Sequence, residues 1–199
     1  MVLTGIILAL AVAFTAAGFI IYLADLRKDS NKPNRWSWLI WSVSAWVEAL
    51  TYQAENTDWI KSSVLFISAV ACMYIARAIW KGGKWETPDI TEGFSVVASL
   101  VALVLWLYYG ETLWAHIMMV VALPIAFLPT WQKAWKDPAC EDSHAWWVWT
   151  VGDCFTLALV FTNYESPTEL PYMVMELVCH AAVWGVIARK NIARVVARI

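Results

Sequence analysis

The stretch Arg35-Trp36-Ser37-Trp38-Leu39-Ile40-Trp41-Ser42-Val43-Ser44-Ala45-Trp46-Val47-Glu48 decides the reading of the chain: it is largely apolar, opens with tryptophans and carries a carboxylate deep inside. A similar run returns as His144-Ala145-Trp146-Trp147-Val148-Trp149-Thr150-Val151-Gly152-Asp153. On a helix of about 3.6 residues per turn, Trp41, Ala45 and Glu48 share one stripe, and Trp149, Asp153 and Thr156 share another. Each run therefore presents a tryptophan above a polar or ionisable position. The two faces read as the walls of one site.

Outward from these runs the composition is that of an integral membrane protein. Of 199 residues, 61% are hydrophobic and only 15% charged, with a mean hydropathy of +0.58, whereas about a quarter of a soluble domain is charged. The net charge of −2 carries little information, because the distribution of charge among loops matters more than its sum. No nucleic-acid partner is expected. The four cysteines, Cys72, Cys140, Cys154 and Cys179, contain no Cys-x-x-Cys pair, which argues against a disulfide framework or a zinc ribbon. The first apolar segment has no basic residue before Arg27 and is long enough to span a bilayer, so it reads as a retained helix rather than a cleaved signal peptide.

Apolar segments of spanning length fall at 5–24, 36–53, 60–79, 93–109, 112–130, 145–163 and 171–188, so the fold class expected is all-α with seven transmembrane helices. The fourth and fifth are divided only by Gly110-Glu111, which reads as a tight helical hairpin. Seven spans place 13 of the 14 Lys and Arg residues on one side and leave only Lys61 for the other. By the excess of basic residues in cytoplasmic loops, the N-terminus is expected outside and the C-terminus inside, in the cell (inner) membrane.

Sliding the chain against itself gives its best agreement at an offset of 108, which pairs Lys28 with Lys136, Trp38 with Trp146, Trp41 with Trp149 and Lys81 with Arg189. Spans one to three then fall on spans five to seven. Both three-helix units start on the same side, which requires an odd number of linking spans, and span four supplies it. The plan is 3+1+3 with parallel repeats: a first unit at 1–84, a linker helix at 85–110, a second unit at 111–190 and a basic tail at 191–199. In that tail Lys190, Arg194 and Arg198 recur on one helical face, a pattern that suits the anionic inner leaflet.

This plan resembles the PQ-loop and SWEET-like transporter superfamily, whose architectural group includes vitamin-precursor carriers of the PnuC type. The local likeness lies in Leu128-Pro129-Thr130-Trp131-Gln132-Lys133, at the place of the superfamily's Pro-Gln dipeptide, with Thr130 where the glutamine would stand. Ile21 and Tyr22 occupy the equivalent positions of the first repeat. The Trp-x-x-Trp spacings Trp38/Trp41 and Trp146/Trp149 are similar to the tryptophan-rich helices of PnuC carriers. The resemblance implies alternating access around a midplane site.

Tryptophans at membrane boundaries ordinarily anchor a helix in the interface, and Trp36, Trp59, Trp80, Trp85, Trp131, Trp135 and Trp184 are read that way. Trp41 and Trp149 lie deeper and are candidates to line a cavity, where an indole stacks on a flat ring or the apolar face of a sugar. Ionisable groups within spans cost roughly 2.5–3.5 kcal/mol for an aspartate at a helix centre, so they face a cavity or a partner. Counted from the cytoplasmic helix ends at the rise of an α-helix, Asp153 lies about 12 Å in and Glu48 about 18 Å in. With His116, Glu176 and His180 they are expected to form one polar cluster. The substrate-binding set is thus Trp41, Glu48, Trp149, Asp153, Glu176, His180 and His116, with Asp153 the most functionally sensitive.

No His pair stands at helical ligand spacing, and neither His-Glu-x-x-His nor a Gly-x-Ser-x-Gly elbow occurs, so no metal, cofactor or catalytic residue is expected. A retinal protein is excluded because the seventh span holds no internal lysine. Pro124 interrupts the hydrogen bonding of span five and kinks or loosens it. The sequence supports a transporter of a small polar or ring-containing solute, with a non-transporting sensor or complex subunit as the alternative; it leaves a homo-oligomer open. Topology is checked by a cysteine placed beside Lys84. It should resist labelling by an impermeant maleimide in intact cells and react once the membrane is opened.

Overall fold

The computed structural model describes residues 2–28, 33–56, 58–81, 90–110, 112–141, 143–162, 164–165 and 167–196. Lys32, Lys84, Trp85, Glu111 and Arg198, used above for topology and anchoring, lie outside them, as do the side chains of Lys190 and Arg194. Among the described residues there is no strand. Seven long helices follow one another: α1 (Val2–Arg27), α2 (Arg35–Glu55), α3 (Trp59–Lys81), α4 (Ile90–Tyr109), α5 (Thr112–Lys136), α6 (Ala145–Thr162) and α7 (Leu170–Val196). Short 3-10 turns at Pro138–Glu141 and Pro167–Glu169 precede α6 and α7.

Local chemistry accounts for the helix boundaries. Asn34 caps α2, its side chain accepting from Ser37 N at 3.0 Å. Ser143 Oγ accepts from Ala145 N at 3.1 Å and donates to Asp25 Oδ2 of α1 at 2.8 Å, starting α6 and tying it to α1. Gly110 ends α4 with φ +68° while its N–H donates to Trp106 O at 3.0 Å. That left-handed turn suits glycine, and it makes the sharp α4–α5 reversal expected from Gly110-Glu111.

Among the described residues six of the seven helices, all but α2, are long and apolar enough to cross a membrane, as the helices of a membrane protein are. α2 has 21 residues, a length of about 31 Å at the helical rise, so composition alone sets it apart. Its serines and Glu48 are buried against protein, because α2 is enclosed by α3, α4 and α5. An enclosed helix need not be apolar all round. α4 is the opposite case: Phe94, Val97, Leu100, Val104 and Leu107 are exposed, as side chains facing acyl chains would be.

The packing has a distinct pattern. α3 packs on both α1 and α2, and α7 on both α5 and α6, while among the described residues neither α1 with α2 nor α5 with α6 forms a packed pair. Two broad seams join these groups, α1 against α6 and α2 against α5, and α4 covers α5 and α2. Along the α1–α6 seam small residues let the backbones approach. A β-carbon at Gly152 would lie 3.3 Å from Thr15 N, and one at Gly18 would lie 2.4 Å from Trp149 Nε1.

Gly18 is therefore needed as a seat for an indole. Gly18→Ala should lower stability by about 1–3 kcal/mol, the cost of overpacking a filled core. Gly5→Ala, where nothing lies within 4 Å of the new carbon, should leave it level or slightly raised, since alanine is the better helix former. Thermal unfolding of both variants in detergent reads the difference.

Candidate functional site

One end of the bundle gathers the close of α1, α3, α5 and α7 with the start of α2, α4 and α6, and carries Arg27, Lys81, Lys133 and Lys136 in last turns. Contacts across it include Asn34 Nδ2 donating to Glu92 Oε1 at 2.5 Å and Arg189 donating to Trp135 O. At its centre Tyr22 OH donates to Glu141 Oε2 at 3.1 Å and accepts from Trp38 Nε1 at 3.2 Å. Burial, opposed by the Tyr22 hydroxyl and Lys133, raises the Glu141 carboxyl to about 7. At the opposite end Lys61 Nζ meets Glu169 Oε2 at 2.6 Å, and Tyr52 OH donates to the same oxygen at 3.3 Å. Both partners are buried, Lys61 at 1% exposure and Glu169 at 0%.

Between these ends lies a cavity whose space, counted out to its mouth, is about 730 Å³, although its interior is narrow, with room for a few water molecules. Its aromatic part is a box of rings. Phe19 lies edge-on to Trp149 at 5.0 Å and Phe127 lies against Trp41 at 4.4 Å. Trp38 meets Trp41 at 5.1 Å and Trp146 meets Trp149 at 5.2 Å, both edge-to-face. Such edge contacts hold rings in fixed orientations.

Its polar part is supplied by α6 and α7. His180 Nδ1 lies 2.8 Å from Asp153 Oδ2, and Glu176 stands one turn before His180 on α7. Ligand-capable atoms of Asp153, Glu176 and His180 all fall within 4.8 Å of one another. The His180 ring stacks on Trp149 at 5.4 Å and touches Phe127 at 5.6 Å, so the polar group is continuous with the aromatic box. Across the cavity stand Ala45, Ser68 and Cys72, small side chains from α2 and α3.

Of the seven residues singled out in the sequence, Trp41, Trp149, Asp153, Glu176 and His180 line this one cavity. Glu48 and His116 are brought to each other instead. His116 Nδ1 lies 2.9 and 3.0 Å from the two Glu48 oxygens, across the α2–α5 seam, with Glu48 fully buried. The single cluster expected from depth is thus two: Trp41 and Ala45 line the cavity, whereas Glu48, about 10 Å further along the same stripe, meets His116 of α5. The anchoring reading of the boundary tryptophans agrees with the exposure of Trp59, Trp80, Trp135 and Trp184, while Trp36 and Trp131 are half-buried.

Sequence reasoning missed Phe19, Phe127, Tyr172, Ser68 and Cys72 as cavity residues, along with the Tyr22–Glu141 and Lys61–Glu169 contacts. The offset of 108 carries the signal for several of these, since it relates 19 to 127, 68 to 176 and 61 to 169. Comparison of the chain with models of known protein families, with characterised proteins and with solved structures returns no match.

Glu141 generates a pH prediction. A carboxyl whose folded value is raised holds its proton where the unfolded chain has lost it, so the folded state loses relative stability as pH climbs from the ordinary carboxyl range through about 7. Glu141→Gln keeps an acceptor for Tyr22 and removes the titration. Its melting temperature should fall less than that of the unaltered protein between about pH 5 and pH 8, by a few degrees; parallel curves would show that Glu141 does not titrate there.

Proposed function

We propose that the chain is a membrane carrier for a small polar or ring-containing solute, built as two parallel three-helix units joined by α4 and working by alternating access around the cavity. The observation that carries this reading is the composition of the cavity wall. Sixteen of its eighteen residues fall into eight pairs separated by 108 positions: Thr15/Leu123, Phe19/Phe127, Trp38/Trp146 and Trp41/Trp149 on one side of the count, Ala45/Asp153, Val64/Tyr172, Ser68/Glu176 and Cys72/His180 on the other. A cavity lined this way straddles a pseudo-twofold axis. The ring contacts exchange under the same offset, Phe19–Trp149 with Phe127–Trp41, and Trp38–Trp149 with Trp41–Trp146, the latter two both at 6.3 Å.

Helix boundaries and packing support the same plan. Shifted by 108, α1, α2 and α3 fall on 110–135, 143–163 and 167–189, against Thr112–Lys136, Ala145–Thr162 and Leu170–Val196. The α1–α6 and α2–α5 seams are each other's counterparts, and both units order their helices with the third in the middle. This is the arrangement that the likeness to SWEET-like carriers implies. A rocking motion along the two seams would open either end, and each end is bridged by a polar contact between units, Lys61–Glu169 or Tyr22–Glu141.

The chemistry of the wall suits the solute class. Four indoles and two phenyl rings offer flat apolar surface, and Asp153, Glu176 and His180 offer acceptors and a titratable donor at one pole. Asp153 is assigned the central role because it bonds His180, faces Glu176 and belongs to the seam helix α6.

The test is uptake into proteoliposomes of a panel of labelled nucleosides, monosaccharides and water-soluble ring amines, with intrinsic tryptophan fluorescence reporting binding in parallel. At least one member should be taken up, and Asp153→Asn should cut its initial rate about tenfold or more, or remove its pH dependence, while the protein stays folded. Quenching without flux would make the chain a binding protein rather than a carrier. An Asn variant with unchanged uptake across pH would remove Asp153 from the mechanism.

A further inference from the structure

We propose that Asp153, Glu176 and His180 form a binding site for a divalent transition-metal ion, with Zn²⁺ the best fit, at the polar pole of the cavity. The inference uses the same cavity as the carrier reading but does not depend on transport.

Geometry is the first ground. One ligand atom from each of the three side chains lies within 4.8 Å of the other two. Bonds of about 2.0–2.2 Å in a tetrahedral shell put ligand atoms about 3.3 Å apart, so small side-chain rotations close the set. Glu176 and His180 are four residues apart on α7 and therefore share a face, and Asp153 meets them from α6 with its carboxylate already 2.8 Å from the His180 ring nitrogen. Long-range proximity supplies the third donor, which is why linear spacing does not announce the set.

Charge is the second ground. Two carboxylates meet here in a mostly apolar wall, and among the described residues no lysine or arginine lines the cavity. Lys61, buried at one end of the bundle, is committed to Glu169 at 2.6 Å. A divalent cation with a neutral imidazole balances both carboxylates, so the loaded site carries no net charge into the low-dielectric interior. Among the described residues Glu176 makes no hydrogen bond, and its carboxylate is the one member of the set left without a fixed partner.

Donor chemistry selects the ion. Imidazole with carboxylate is an ordinary zinc set, three protein ligands leave an open position, and the thiol of Cys72 lines the same cavity within electrostatic reach of Glu176. Ca²⁺ would want six to eight oxygens and Mg²⁺ an octahedron rich in water, which a wall of indoles does not supply. The mixed nitrogen and oxygen donors, with sulfur at hand, favour Zn²⁺ and its spectroscopic substitute Co²⁺.

The experiment uses the tag-free full chain in detergent. Titration with zinc chloride by calorimetry should give one ion per chain, and Co²⁺ should give the intense visible bands of a four-coordinate site, bleached by added Zn²⁺. Glu176→Gln and His180→Gln should each weaken binding about tenfold or more, as loss of a ligand does. The exposed His144→Gln should bind as the unaltered protein does. Retention of no ion by the folded protein, equal affinity in the Glu176 and His180 variants, or loss of binding in His144→Gln would each overturn the proposal. Should those two variants fail to fold, the Co²⁺ spectrum decides: weak six-coordinate bands overturn it. A protein that binds zinc yet moves no ring solute would keep this site and lose the carrier reading.

Discussion

Ionisable side chains inside an apolar bundle must be met by partners, and this constraint organises the interior. Without water to solvate them, such groups cost several kcal/mol each if left alone. Three contacts answer the demand: Lys61 with Glu169, Glu48 with His116, and Asp153 with His180. The first two join elements on opposite sides of the α1–α6 and α2–α5 division, so they hold the halves in register. The third lies within α6 and α7 and faces empty space, which makes it available for chemistry in a way the others are not.

The aromatic box is the second constraint. Its rings pack edge-to-face around Trp149, whose indole is admitted only because Gly18 carries no β-carbon. Trp149 in turn supports the His180 ring at a stacking distance of 5.4 Å. A backbone detail on α1 thus fixes the orientation of an imidazole on α7. Tyr22 extends the same arrangement outward, touching Trp38, Trp146 and Trp149 while its hydroxyl reaches Glu141.

Much of the helical plan was legible in the chain itself, because spanning length and hydropathy are local properties. The seven segments read from composition correspond to the seven helices, and the Gly110 reversal follows from a residue that tolerates positive φ. Five of the seven candidate side chains meet in one cavity, since a helical stripe is also local. What could not be read was the partner: Glu48 shares a stripe with Trp41 yet meets His116 on α5, because which helix stands opposite each level of a stripe is decided by packing between segments distant in sequence. The Tyr22–Glu141 contact spans 119 positions and involves a short turn with no periodicity to mark it. Small residues such as Ser68 and Cys72 gave no signal alone, because only the cavity opposite them gives their size a meaning.

The Lys61–Glu169 contact carries a consequence for how such a bundle can arise. The two residues are 108 positions apart, so on the two-unit plan they occupy the same place in each half and meet close to the axis that relates the halves. A dimer of identical three-helix chains would set like against like at that point, two lysines repelling or two glutamates repelling. Opposite charges there require the halves to differ in sequence, which a single continuous chain permits and a symmetric homodimer forbids. The same freedom puts Asp153, Glu176 and His180 in one half and Ala45, Ser68 and Cys72 in the other. On that plan, duplication within one chain followed by divergence would yield a polar pole facing small side chains, where symmetry alone would give two copies of each.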